Sequence, residues 1–278
     1  MVKARARARQ ILGAFAIVLL MIWVLVPVYW IVSTSLQPAN ETFSIPPKLW
    51  PSRPQWSNYR DAIASKPVLR WVRNSMFVSV GTTLVCLSLS VFAGYALSRF
   101  RFRGNSAIGF IILLSQMLPG TLFIIPLYTT FFRLKLLNSL AGLIVAYTSF
   151  SIPLCTWMMK AYFDTIPREL EEAALIDGCS PIPALFRVIL PLSTPGLVAT
   201  GIYSMILAWN EFTFARTFID SPDNWPITVG LSSFTSEYTV DWNVLMATAV
   251  ICSIPILIVY LVFQRQLVQG LTSGSVKG

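Results

Sequence analysis

The sequence holds 278 residues, 55% of them hydrophobic and only 12% charged, with 21 Lys and Arg set against 12 Asp and Glu. An ordinary soluble domain carries about 25% charged residues, so this balance excludes one. The chain has no histidine and four cysteines far apart in sequence (Cys86, Cys155, Cys179, Cys252), which excludes histidine bases, Ser-His-Asp triads and ordinary zinc sites.

In chain order, charge-free windows cover 10–40, 74–98, 104–132, 136–159, 188–210 and 242–264. A helix crossing a bilayer needs about 20 apolar residues, so each window suffices for one span and none for two. The expectation is an all-α integral membrane protein with six transmembrane helices. Lys3, Arg5, Arg7 and Arg9 lead into the first window in the manner of a signal peptide. That window is too long for one and lacks an A-x-A site before Pro38, so it reads as an uncleaved first span over 11–36, after a short N-terminus over 1–10. The basic N-terminus and the Arg99, Arg101, Arg103 cluster set the orientation, placing both termini inside. The net charge of +9 is thereby a topology signal that calls for no nucleic-acid partner.

Two polar segments are longer than ordinary loops. Segment 37–70, expected outside, contains Pro38, Pro46, Pro47, Pro51 and Pro54, too many for a continuous helix. Its Trp50, Trp56 and Tyr59 suit the outer membrane interface. Beyond it, 71–268 reads as one core of five spans followed by a tail over 269–278, with no boundary of the soluble kind. Segment 161–194, expected inside, reads as helix, glycine turn, helix. Thr165 and Pro167 suit a first turn, and Glu169, Glu171 and Glu172 complement the positive end of the helix dipole. Gly178 falls where a left-handed cap belongs, and Ser180-Pro181 opens a second helix that Pro191 should break. Ala173 and Ala174 offer a small, smooth patch flanked by acids, suited to docking. A partnerless hairpin lying on the membrane is the other reading, but such helices are normally basic.

From Glu172-Ala173-Ala174 through Gly178 to Val188 and Leu190-Pro191, this segment resembles the EAA motif of bacterial ABC importer permeases, with Val188 where that pattern prefers Ile. Three further stretches are similar to carbohydrate-type members. They are the run from Ala93-Gly94-Tyr95 to Ser98-Arg99-Phe100, the run Trp209-Asn210-Glu211-Phe212, and the ending from Gln264-Arg265 to Lys277-Gly278. The resemblance covers nearly the whole chain and is weakest over 37–70.

It implies a type I importer permease fold in a bacterial or archaeal plasma membrane. Two permease subunits, usually non-identical, would form the pathway, and an extracytoplasmic binding protein would deliver a sugar, a di- or oligosaccharide by family weight. A cytoplasmic ATPase dimer would bind ATP and Mg, leaving this chain neither enzyme nor cofactor carrier. No G-x-x-x-x-G-K-[ST] loop occurs in the sequence, in keeping with that division of labour. Contact with the ATPase would fall on Glu171, Glu172, Ala173, Ala174, Asp177, Gly178, Pro181, Phe186, Leu190 and Pro191, with Gly274 and Lys277 of the tail.

Gln116, Thr121, Ser149, Ser151 and Asn210 are the polar groups suited to line a pathway, and Tyr95, Tyr128, Tyr147 and Trp157 could stack on sugar. The same amides and hydroxyls serve equally to bond neighbouring helices. Pro119, Gly120 and Pro126 should kink their span. Glu211 follows Pro195 by about 16 residues, roughly 24 Å along a helix, which predicts an unburied position at the outer interface. An ion-coupled secondary transporter, or a channel subunit, is the competing class. A coupled transporter wants charges at mid-membrane and an inverted repeat, neither of which the sequence offers. A membrane-embedded enzyme would need a catalytic constellation, and the spans contain no acid pair.

Overall fold

Backbone placed in lipid must satisfy its own hydrogen bonds, and the apolar windows do so as helices. The structure, a computed structural model, describes residues 2–235 and 240–273. Helix α1 covers Val2–Ser35, α2 Ser57–Ser65, α3 Val68–Arg99, α4 Asn105–Ser115, α5 Ile124–Arg133 and α6 Leu140–Phe163. Helix α7 covers Glu169–Ile176, α8 Pro181–Ala184 and α9 Leu190–Leu192, with a π-turn over Leu185–Ile189 between the last two. Helix α10 follows at Thr194–Asn210, α11 at Thr213–Phe218, α12 at Ile227–Ser232 and α13 at Trp242–Ser273. Among the described residues there is no strand, only an isolated bridge between Thr235 and Val240.

Among the described residues four helices are long and apolar enough to cross a membrane, and two further windows are broken pairs, so the count is four to six. Between α4 and α5 the chain turns by 92°. Leu118 precedes Pro119, which disfavours helix there, and Pro119 itself is extended at φ −63° and ψ 126°. The expected kink is therefore a break. The second bend, of 82°, lies at Ser193, not at Pro191 as expected. Pro191 is tolerated because the turn before it is widened: the Leu190 N–H bonds the Leu185 carbonyl, five residues back. Helix α7 likewise starts at Glu169, two residues after Pro167.

The chain forms two compact units where the sequence shows no boundary. One comprises Met1–Val68 and Leu231–Ile254. Its described centre is a polar knot at the end of α1. The Asn58 amide donates to the carbonyls of Ser35 (2.9 Å) and Gln37 (3.1 Å), and the Asn243 amide to those of Thr34 (3.1 Å) and Gln37 (2.8 Å). Two side chains remote in sequence thus bond the carbonyls at and just past the end of α1, where the helical ladder stops. Glu41 is held by Lys48 (2.6 Å), the Ser52 N–H (3.1 Å) and the Ser52 hydroxyl, which pull its carboxyl down to about 2. Segment 37–70 is accordingly a folded structure with its own short helix, α2. Of its interfacial aromatics, Trp50 and Trp56 are exposed.

The other unit comprises Leu69–Gly230 and Pro255–Gly278. Two apolar clusters organise it. The first joins Val78 of α3 to Phe131, Leu143, Tyr147, Phe214 and Phe218, which seats α11 against α5 and α6. The second joins Val91 and Tyr95 of α3 to Met159, Phe163, Ile166, Leu185 and Ile189. Helices α3 and α6 touch backbone to backbone at Gly94, where a Cβ would lie 2.9 Å from the Lys160 nitrogen. No larger residue fits there.

Candidate coupling site

The second cluster fixes segment 161–194. The three acids of the first turn of α7 sit at the positive end of its dipole. At its other end the Cys179 N–H bonds the Ala174 carbonyl (3.0 Å) and the Gly178 N–H bonds that of Leu175 (3.1 Å). This is the Schellman pattern, and Gly178 adopts φ +86° as that cap requires. Ser180 is extended and Pro181 takes the first helical position, although the Ser180 side chain makes no capping bond. Leu185 and Ile189 are wholly buried and anchor the second helix.

Polar contacts then tie the loop to the end of α3. Arg99 Nε lies 2.9 Å from Glu171 Oε2, with 6% and 12% of the two side chains exposed. The Tyr95 hydroxyl donates to the other oxygen of Glu171. Arg99 also donates to the Ile166 carbonyl and Arg168 to the Ser98 carbonyl, both at 3.0 Å, while the Ser98 hydroxyl donates to Asp164 at 2.6 Å. The runs Ala93–Phe100 and Glu171–Pro191 therefore form one clamp. Tyr95 and Arg99 lie more than 70 positions before Glu171, so no local spacing joins the two runs.

The clamp sorts the expected coupling residues. Glu171 faces inward as its central acceptor. Ala174 is only 8% exposed, so the expected two-alanine patch is corrected to Ala173 alone. Glu172, Ala173, Asp177, Gly178, Pro181, Phe186 and Pro191 are exposed and Leu190 is half-buried. The surface is more apolar than expected, because Leu175, Ile182 and Phe186 are exposed and Ile176 is 86% exposed. Gly274 and Lys277 lie outside the described residues.

The expected pathway residues do not gather in one place. Tyr95 belongs to the clamp. Tyr147 and Ser151 are buried, the Ser151 hydroxyl donating to the Tyr147 carbonyl at 2.9 Å. Ser149 and Asn210 are exposed, and each donates to a carbonyl one turn back on its own helix, at 2.9 Å. Gln116, Thr121 and Tyr128 are exposed, and Trp157 is half-buried. Glu211 departs from expectation. Helix α10 ends at Asn210, and the half-buried Glu211 carboxylate accepts the Phe214 (2.8 Å) and Ala215 (3.0 Å) N–H groups that open α11. Among the described residues no three or more Cys, Asp or Glu side chains are grouped so as to hold a metal ion.

Residues 87–273 match the family described as binding-protein-dependent transport system inner membrane components. The chain belongs to that family. It is a permease subunit of an ATP-binding-cassette importer, a transport component of the inner membrane. The permease is 37% identical to the sulfoquinovosyl glycerol transport system permease of Agrobacterium fabrum over 254 residues, covering 91% of this chain and 89% of the relative. It is 33% identical to the maltose/maltodextrin transport system permease of Yersinia pestis, covering 100% and 97%. In structure the permease is similar to a chain of a bacterial ABC transporter involved in the import of the acidic polysaccharide alginate. The TM-score is 0.81 at 25% identity, over 93% of this chain and 96% of that one.

Proposed function

We propose that this permease carries a sugar, a di- or oligosaccharide, and forms one half of a pathway completed by a second, non-identical permease. An extracytoplasmic binding protein delivers the cargo. Six spans, with each bent pair counted as one, leave both termini and segment 161–194 in the cytoplasm. There the segment docks on a separate ATPase dimer, which binds ATP and Mg. Relatives named for maltodextrin and sulfoquinovosyl glycerol, matched over about nine-tenths of the chain or more, support the cargo class.

One observation carries the coupling role: a helix pair clamped to α3 by a buried ion pair, and packed on α6 through Met159 and Phe163, still leaves Ile176 and Ile182 exposed. Clamping makes the loop rigid, and bare apolar side chains at its tip fit a groove on another chain. ATP-driven closure of the ATPase dimer would then move that groove, and α3 and α6 with it, as a body. Ala173→Asp tests this, because Ala173 faces outward and its replacement leaves the clamp intact. The assembled complex should lose ATPase co-purification by about tenfold or more, as expected for a charge buried against an apolar contact. Normal co-purification and transport by the variant would remove the docking role.

A further inference from the structure

Beside the clamp, a cavity of about 710 Å³ opens between the end of α3, the start of α4 and the last turns of α6. It is built in two layers. Its rim carries Arg101, Lys160 and Arg168 against a single acid, Asp164, which is engaged by Lys160 at 2.6 Å and by Ser98. Among the described residues Arg101 has no ion-pair partner. Helix α4 enters the cavity by its N-terminus, which no side chain caps. The surplus is therefore positive.

Below the rim the lining becomes apolar. The Trp157 ring packs so closely on Gly109 that a Cβ there would lie 3.3 Å from it, while the Lys160 ammonium sits 5.4 Å from that ring's centre. Phe110 and Leu113 continue the wall, both exposed on this chain. Leu113 follows Asn105 by eight residues, about 12 Å along the helix.

The geometry points to a binding site for an anionic phospholipid, its phosphate among Arg101, Lys160 and Arg168 and one acyl chain along Phe110 and Leu113. Charge complementarity selects the headgroup, because basic pockets between spans on the cytoplasmic side suit acidic lipid. The apolar wall selects a lipid over a soluble acidic partner, which could reach the rim but not the depth of Leu113. This assignment rests on the cytoplasmic placement of the clamp proposed above.

The test uses the complex co-expressed with its partner chains, exchanged into phosphatidylglycerol or phosphatidylcholine and followed by native mass spectrometry. Phosphatidylglycerol should be retained on this chain in preference to phosphatidylcholine. Arg101→Gln with Lys160→Gln should weaken that retention by about thirtyfold, taking the usual weight of two cations at a membrane surface. Leu113→Asn should weaken it with the rim intact. Equal retention of the two lipids, or retention unchanged in the double variant, overturns the site. Displacement by millimolar inorganic phosphate also overturns it, since the rim alone would then be a free-anion site. Loss of a partner chain from the double variant with lipid unchanged overturns it in favour of a protein contact. Failure of the wild-type chain to bring down an ATPase would instead strike the coupling reading, and lipid retention on the tagged chain stays readable.

Discussion

Arg99 and Glu171 form a nearly solvent-free ion pair, and such pairs respond asymmetrically to mutation. Removing one partner strands the other charge, at a cost of about 3–5 kcal/mol, whereas removing both can be nearly neutral. Arg99→Ala should therefore lower the thermal midpoint of the complex sharply, and Arg99→Met combined with Glu171→Met should recover most of it. A melting curve unchanged by Arg99→Ala would contradict the clamp. Glu41 gives a second test at this scale. Its carboxyl falls from 4.5 to about 2 because Lys48 and Ser52 favour the charged form. The unfolded segment then binds more protons than the folded one between those values. Stability of the knot is complete above about pH 4.5 and is lost as pH falls through about 2. Protease protection of 37–67 should follow that window in the wild type, and Glu41→Gln should flatten it while weakening protection at neutral pH.

At the scale of elements, the glycine turn separates backbone strain from contact. Nothing lies within 4 Å of where a Gly178 Cβ would be, so a side chain there meets no neighbour. The penalty of Gly178→Val comes from φ +86° alone, about 1–2 kcal/mol. Relieving it would unwind the Schellman cap and turn α7 relative to the second helix. ATP hydrolysis by the assembled complex should persist, with substrate no longer stimulating it and transport lost; Gly178→Ala should show a milder form. Full transport by both variants would remove the coupling role of the turn. Ala174→Asp should act otherwise, because its Cβ faces inward: the charge would break the loop's own packing and reduce the amount of folded complex.

For the whole molecule, the orientation is open to direct measurement. Ser52 would be a poor labelling site because Glu41 holds both its N–H and its hydroxyl. Arg53 and Ser180 are exposed, so Arg53→Cys and Ser180→Cys in a cysteine-free background are better probes. An impermeant maleimide added to intact cells should label Arg53→Cys, and Ser180→Cys only after lysis. Equal labelling of both from outside would overturn the orientation.

The sequence by itself determined what depends on composition and short-range spacing. Charge-free windows marked the helices, because lipid excludes unpaired backbone, and the Gly178 cap was legible because local hydrogen bonds and the φ requirement of glycine specify it. Family membership was legible too, since the motif from Glu172 to Pro191 has a fixed spacing. Only the tertiary structure decided what depends on residues remote in sequence. It turned Glu171 inward, since Tyr95 and Arg99 arrive from a helix more than 70 positions earlier. It moved the second bend from Pro191 to Ser193, because a π-turn absorbs the missing donor of the proline. It placed Glu211 as the cap of α11, since the end of α10 lies where its hydrogen-bonded ladder stops and not where apolar residues run out. It also tied the start of segment 37–70 to Asn243, whose amide donates to the Thr34 and Gln37 carbonyls from more than 200 positions away. Periodicity reports which face of a helix is apolar; which partner that face meets is settled only when distant segments compete for the same buried space.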